Sequence, residues 1–170
     1  QGSSEVLTAL ALAYSMEGGE IVTPWPTFED IPRWGETLKA TVHRVPLDQY
    51  FDHDLYAMNA KVGSGTKLVF VCNPNNPTGT WFARAALREF LDSVERNIPV
   101  VVDEAYHEFV DDPEVGSAVE LLSDYPNLIV TRTFSKGYGL AGLRVGYAIG
   151  DPATIALVNQ QHGHAFRYWW

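Results

Sequence analysis

Four apolar runs, each ending in polar or glycine-rich sequence, constrain this chain more than any other feature. They are LVFVC (Leu68 to Cys72), PVVVD (Pro99 to Asp103), LIVTRTF (Leu128 to Phe134) and VGYAIG (Val145 to Gly150). Short runs that stay apolar instead of alternating are expected of strands buried on both faces. Helical patterns separate them. Val6, Leu7, Leu10, Ala11 and Tyr14 fall on one helical face, and Ala86, Leu87, Phe90, Leu91 and Val94 on another. Ser3 or Ser4 is placed to cap the first helix, and Gly18-Gly19 to end it. Shorter strands are expected near Ile21-Val22 and over residues 40–45, with the proline-bounded WPTFEDIP between them leading into a short helix. Strands alternating with helices imply an α/β fold: a mostly parallel sheet flanked by helices.

Ligands of such sheets sit at the carboxyl ends of the strands. The polar residues of interest lie there: Asn73 and Asn76 after one strand, Asp103 and Tyr106 after the next, Thr133 to Lys136 after the third. Each has an ordinary alternative. Asn76 sits in NNPTG, where turn chemistry suffices. Asp103 could cap a turn or pair with an arginine, and the Tyr106 ring could simply pack. Gly2-Ser3-Ser4 could serve only to start a helix, although free N–H groups there also bind phosphate. Most lysines are solvated surface charges. Lys136 fits that description less well, lying at a strand end among glycines and hydroxyls, where partial desolvation would favour a reactive amine.

Two glycine-rich motifs invite a nucleotide reading, and neither supports it. Gly137, Gly139 and Gly142 spell GxGxxG after a strand, but a lysine precedes the first glycine. Asp151 comes too early for a ribose partner, and the next run is a strand instead of a long helix. GSGTK (Gly63 to Lys67) lacks the leading glycine and the hydroxyl after the lysine. The net charge of -9 shows no basic stripe for nucleic acid. No apolar run approaches a membrane span. Cys72 is the only cysteine, which excludes an internal disulfide and fits a reducing, cytoplasmic setting. His162 and His164 form an HxH without a third ligand in view, so no metal site is expected.

Four segments, GSSE, NPNNPTG, VVDEAYHEF and TFSKGYGLAGLRVGY, together make the chain resemble the fold-type I pyridoxal-phosphate (PLP) aminotransferases of class I/II, closest to the histidinol-phosphate aminotransferase-like group. The resemblance implies the PLP-binding large domain over residues 1–158, with 159–170 as an unassigned tail. Members of this family are longer, so an amino-terminal segment and a carboxyl-terminal small domain are expected beyond this stretch. The resemblance also implies residue roles. Lys136 would hold pyridoxal 5'-phosphate as a Schiff base and shuttle a proton. Asp103 would pair with the ring nitrogen, and Asn76 and Tyr106 would bond the ring oxygen. Gly2, Ser3, Ser4, Thr133, Ser135 and Arg144 would hold the phosphate, and Phe28 would stack on the ring. The implied activity is amino-group transfer between an amino acid and a 2-oxo acid, in a homodimer. Other PLP reactions on the same scaffold (lyase, decarboxylase, oxidase) and a non-catalytic sensing domain remain alternatives.

Overall fold

The computed structural model describes residues 2–165, with side chains described as far as Gln161. Six strands form one sheet in the order β2-β1-β3-β4-β5-β6. They are β1 (Glu20–Trp25), β2 (Thr41–Pro46), β3 (Thr66–Cys72), β4 (Val100–Asp103), β5 (Leu128–Thr133) and β6 (Gly146–Gly150). β1 to β5 run parallel, and β6 is antiparallel to β5. The helices are α1 (Ser3–Ser15), α2 (Asp30–Thr37), α3 (Leu55–Asn59), α4 (Arg84–Ser93) and α5 (Pro152–Ala165). Among the described residues, no helix is long and apolar enough to cross a membrane.

Strand periodicity divides the core in two. Val69, Val71, Val100, Val102, Leu128 and Val130 point to one face and pack with Leu87, Phe90 and Leu91 of α4. Leu68, Phe70, Val101 and Ile129 point to the other and pack with Leu7 and Leu10 of α1 and Ile31 of α2. This explains why the runs are continuously apolar: every position meets a core. Each fully buried Leu or Phe contributes about 1.5–3 kcal/mol.

One local expectation is revised. Neither Ser3 nor Ser4 caps α1: its N-cap is Gly2, with φ 74° and no side-chain cap hydrogen bond. A positive φ is open to glycine without strain. VGYAIG returns antiparallel because Phe134 to Val145 holds only a loop and a short 3-10 turn, with no crossover helix to carry the chain back. α5 (Pro152–Ala165) continues past Val158. The side chains of His162 and His164, and the closing FRYWW, lie outside the described residues.

Candidate functional site

Cys72, Asp103 and Thr131 occupy one rank across three neighbouring strands, since Asp103 is in register with both. By alternation they and Thr133 share the face of Phe70, Val101 and Ile129, which is the face α1 covers. The ends of β3, β4 and β5 therefore meet the amino end of α1. Strand order also reverses between β1 and β3, so the loop after β1 crosses away and leaves a crevice. A cleft of about 120 Å³ lies there. It gathers Ser3, Ser4, Phe28, Asn76, Asp103, Tyr106, Thr133, Ser135, Lys136 and Arg144, every residue to which the resemblance gives a role except Gly2.

One end of the cleft demands a cation. Asp103 is 2% exposed. It accepts a 2.9 Å hydrogen bond from the Thr131 hydroxyl, and the Ala105 backbone N–H also favours its charged form. Burial dominates, aided by the nearby charges of Asp30 and Glu104, and pushes its carboxyl up to about 6. The arginine partner it might have had is committed elsewhere. Arg132 bonds Glu104 Oε2 through Nε at 2.9 Å and Nη2 at 2.8 Å. Among the described residues no ion pair reaches Asp103. A basic ring nitrogen arriving in the cleft would meet that need.

The other end suits an anion. The first turn of α1 offers backbone N–H groups and the positive end of the helix dipole. Ser3, Ser4, Thr133 and Ser135 add hydroxyls, and Arg144 adds a guanidinium. Arg144 is held in a left-handed conformation (φ 53°), and its carbonyl accepts the Gly2 N–H at 2.9 Å. That N–H is thus spent on joining α1 to the start of β6. Gly146 makes the junction close: a Cβ there would lie 2.7 Å from the Gly2 carbonyl carbon and from the Ser3 Cα.

Lys136 lines the same cleft, with Nζ 5.4 Å from the centre of the Tyr106 ring. It is exposed, so the desolvation anticipated for it is not present. The loop after β3 sorts its asparagines. Asn73 turns inward and exchanges two hydrogen bonds with the Phe82 backbone, so it serves the loop and leaves the cleft to others. Asn75 accepts from the Thr27 hydroxyl at 2.8 Å and donates to the Pro26 carbonyl at 3.1 Å, tying this loop to the one that carries Phe28. Only Asn76 reaches the cleft. The glycine motifs behave as their flanks suggest. GSGTK leads into β3 at the far end of the sheet, and the GxGxxG spans a turn and a 3-10 segment before β6.

Sequence reading missed Cys72, Ala105 and Thr131. Cys72 and Ala105 line the cleft, and Thr131 braces Asp103 from beneath. Strand alternation counted back from Asp103 and Thr133 would have found Cys72 and Thr131. A second cavity of about 430 Å³ adjoins, sharing Asn76 and Tyr106 and walled also by Trp81 and Phe109.

A small molecule with a basic ring nitrogen at one end, a phosphate at the other and an amine-reactive group between them matches these demands. Comparison with known proteins agrees. The family described as Aminotransferase class I and II matches residues 1–166. An aromatic amino acid aminotransferase from Thermobifida fusca is 48% identical over 159 residues, covering 94% of this chain and 44% of that protein. One from Streptomyces avermitilis is 49% identical over 157 residues, covering 92% and 44%. This chain therefore spans about half the length of these curated relatives. The crystal structure of a histidinol-phosphate aminotransferase from Sinorhizobium meliloti in complex with pyridoxal-5'-phosphate superposes with a TM-score of 0.83 at 30% identity, covering 91% of this chain and 42% of that one. With the fold, the cleft and the sequence in agreement, the chain belongs to the class I and II aminotransferases.

Proposed function

We propose that the cleft holds pyridoxal 5'-phosphate, and that the protein transfers an amino group between an aromatic amino acid and a 2-oxo acid. One observation carries this reading: a buried carboxylate that no ion pair reaches among the described residues and a set of anion-binding groups line a single cleft together with Lys136. The aromatic substrate rests on the two relatives named above. Bound there, the cofactor supplies an electron sink for charge developing at the substrate α-carbon.

The chain's own residues do the rest. Asp103 keeps the ring nitrogen protonated. Asn76 and Tyr106 hydrogen-bond the ring oxygen, and Phe28 packs on the ring face. Arg144, with the hydroxyls of Ser3, Ser4, Thr133 and Ser135, anchors the phosphate and so fixes the position of the reacting carbon. Lys136 would hold the aldehyde end of the cofactor through Nζ, and the same amine would take up and return the proton of the substrate α-carbon. A second copy of the chain is the proposed partner. Tyr138 (54% exposed), Leu143 (64%) and Leu140 form an apolar surface beside Lys136 that suits an interface.

The test is the intact protein supplied with pyridoxal 5'-phosphate. The wild type should develop a visible absorbance band, and borohydride should fix the cofactor on the peptide containing Lys136. Lys136→Ala should do neither. Stoichiometric pyridoxamine phosphate and 2-oxo acid from phenylalanine would support amino transfer. Release of carbon dioxide or ammonia instead would move the assignment to another reaction. Normal colour in Lys136→Ala would remove the lysine from its role.

A further inference from the structure

Thr131 lies beside Asp103 in the parallel register of β4 and β5 and has no exposed surface. The three residues before it, Leu128, Ile129 and Val130, are buried and apolar. A hydroxyl in such a place is costly unless bonded, and valine would fill the same volume. The Thr131 hydroxyl donates to Asp103 Oδ1 at 2.9 Å. The charged groups around Asp103 work against its charge: Asp30 from α2 and Glu104 from the end of β4. Cys72, facing it from β3, has its thiol held neutral by burial. Lys136 and Arg144 line the same cleft, and among the described residues no ion pair reaches Asp103. Thr131 is therefore the side chain that most directly sustains the carboxylate.

We propose that Thr131 is a positioning residue: by donating to Oδ1 it sets the plane of the Asp103 carboxylate and leaves Oδ2 to present a charged acceptor to the cofactor's ring nitrogen. This rests on the reading of the cleft as a pyridoxal 5'-phosphate site. Thr131 does not line the cleft, so it acts through Asp103 alone.

The experiment uses the intact protein and Thr131→Val, Thr131→Ser and Asp103→Asn. Carboxyl-carbon NMR of the cofactor-free protein follows the Asp103 titration, with the signal assigned by its loss in Asp103→Asn. The wild-type midpoint is expected at about 6. Thr131→Val should raise it by about one unit, the worth of a hydrogen bond to a charged group, and Thr131→Ser should restore it. Binding of pyridoxal 5'-phosphate at pH 8 should weaken about tenfold in Thr131→Val and recover in Thr131→Ser. Should Thr131→Val not fold, Thr131→Ala carries the same comparison. Equal midpoints in the valine and wild-type proteins overturn the proposal, and so does equal affinity. A wild type that binds no cofactor, with the midpoint still shifted by valine, overturns the cofactor reading and leaves Thr131 only as the donor to Asp103.

Discussion

At the scale of single residues, the cleft is a set of costs accepted by the fold before any ligand arrives. Asp103 is the largest. Its carboxyl stands at about 6 when folded against 3.8 for the free group, so the folded state holds the proton more tightly than the unfolded one. Its burial therefore carries no electrostatic cost below the unfolded value. The cost grows between the two values, and above about 6 it reaches roughly 3 kcal/mol. Asp103→Asn should accordingly stabilise the cofactor-free protein by up to about 3 kcal/mol at pH 8 and by almost nothing at pH 3, read as melting temperature against pH. The same variant should bind cofactor poorly. A melting profile parallel to wild type at all pH values would contradict the buried-carboxylate account. Arg144 gives the complementary prediction. Replacing it with lysine keeps the charge but loses the fork, and affinity for pyridoxal 5'-phosphate should fall about tenfold by titration. The residues of the cleft were largely legible in the sequence because strand ends are where an α/β sheet presents them. Thr131 was not, because a threonine inside a strand reads as a β-former until its neighbour is known to be Asp103.

Among elements, what was legible follows the strength of each periodic signal. β3, β4 and β5 stood out because both of their faces are buried. α3 has only five residues, too few to show a helical period; Asp54 starts it by accepting from the Ala57 N–H. The direction of β6 could not be read from VGYAIG alone, since it depends on the connection that precedes it. The junction of α1 with β6 is also invisible in one dimension. Gly146→Ala would press a methyl group into the Gly2-Ser3 backbone. It should cost about 1–3 kcal/mol and weaken phosphate anchoring by displacing the first turn of α1, which denaturant melts and cofactor titration would show together. The Glu104–Arg132 pair braces β4 against β5, with the Glu104 side chain 3% exposed. Arg132→Met would leave that carboxylate buried without a cation, held only by the neutral donors of the Ser117 hydroxyl and the Ala118 N–H. A loss of about 3–5 kcal/mol is expected, measured by chemical denaturation.

For the whole molecule, one sheet serves two purposes. Its interior is apolar on both faces, and its carboxyl edge carries the polar groups that the crevice gathers. The exposed Tyr138, Leu140 and Leu143 extend that edge outward, and sedimentation of the intact protein should show a dimer that Leu143→Asp weakens. The bond from the Gly2 N–H to the Arg144 carbonyl joins the first described residue to the last component of the cradle. That link sets an order in time. A chain emerging from the ribosome at about 5–20 residues per second exposes Asp103 seconds before β6 has been made. Throughout that interval the strands already display a carboxylate, while no seat for an anion exists. Loading with a phosphorylated ligand is consequently a late event in the life of each nascent molecule. The ligand that arrives then ties the start of α1 to the turn before β6 and stabilises that junction.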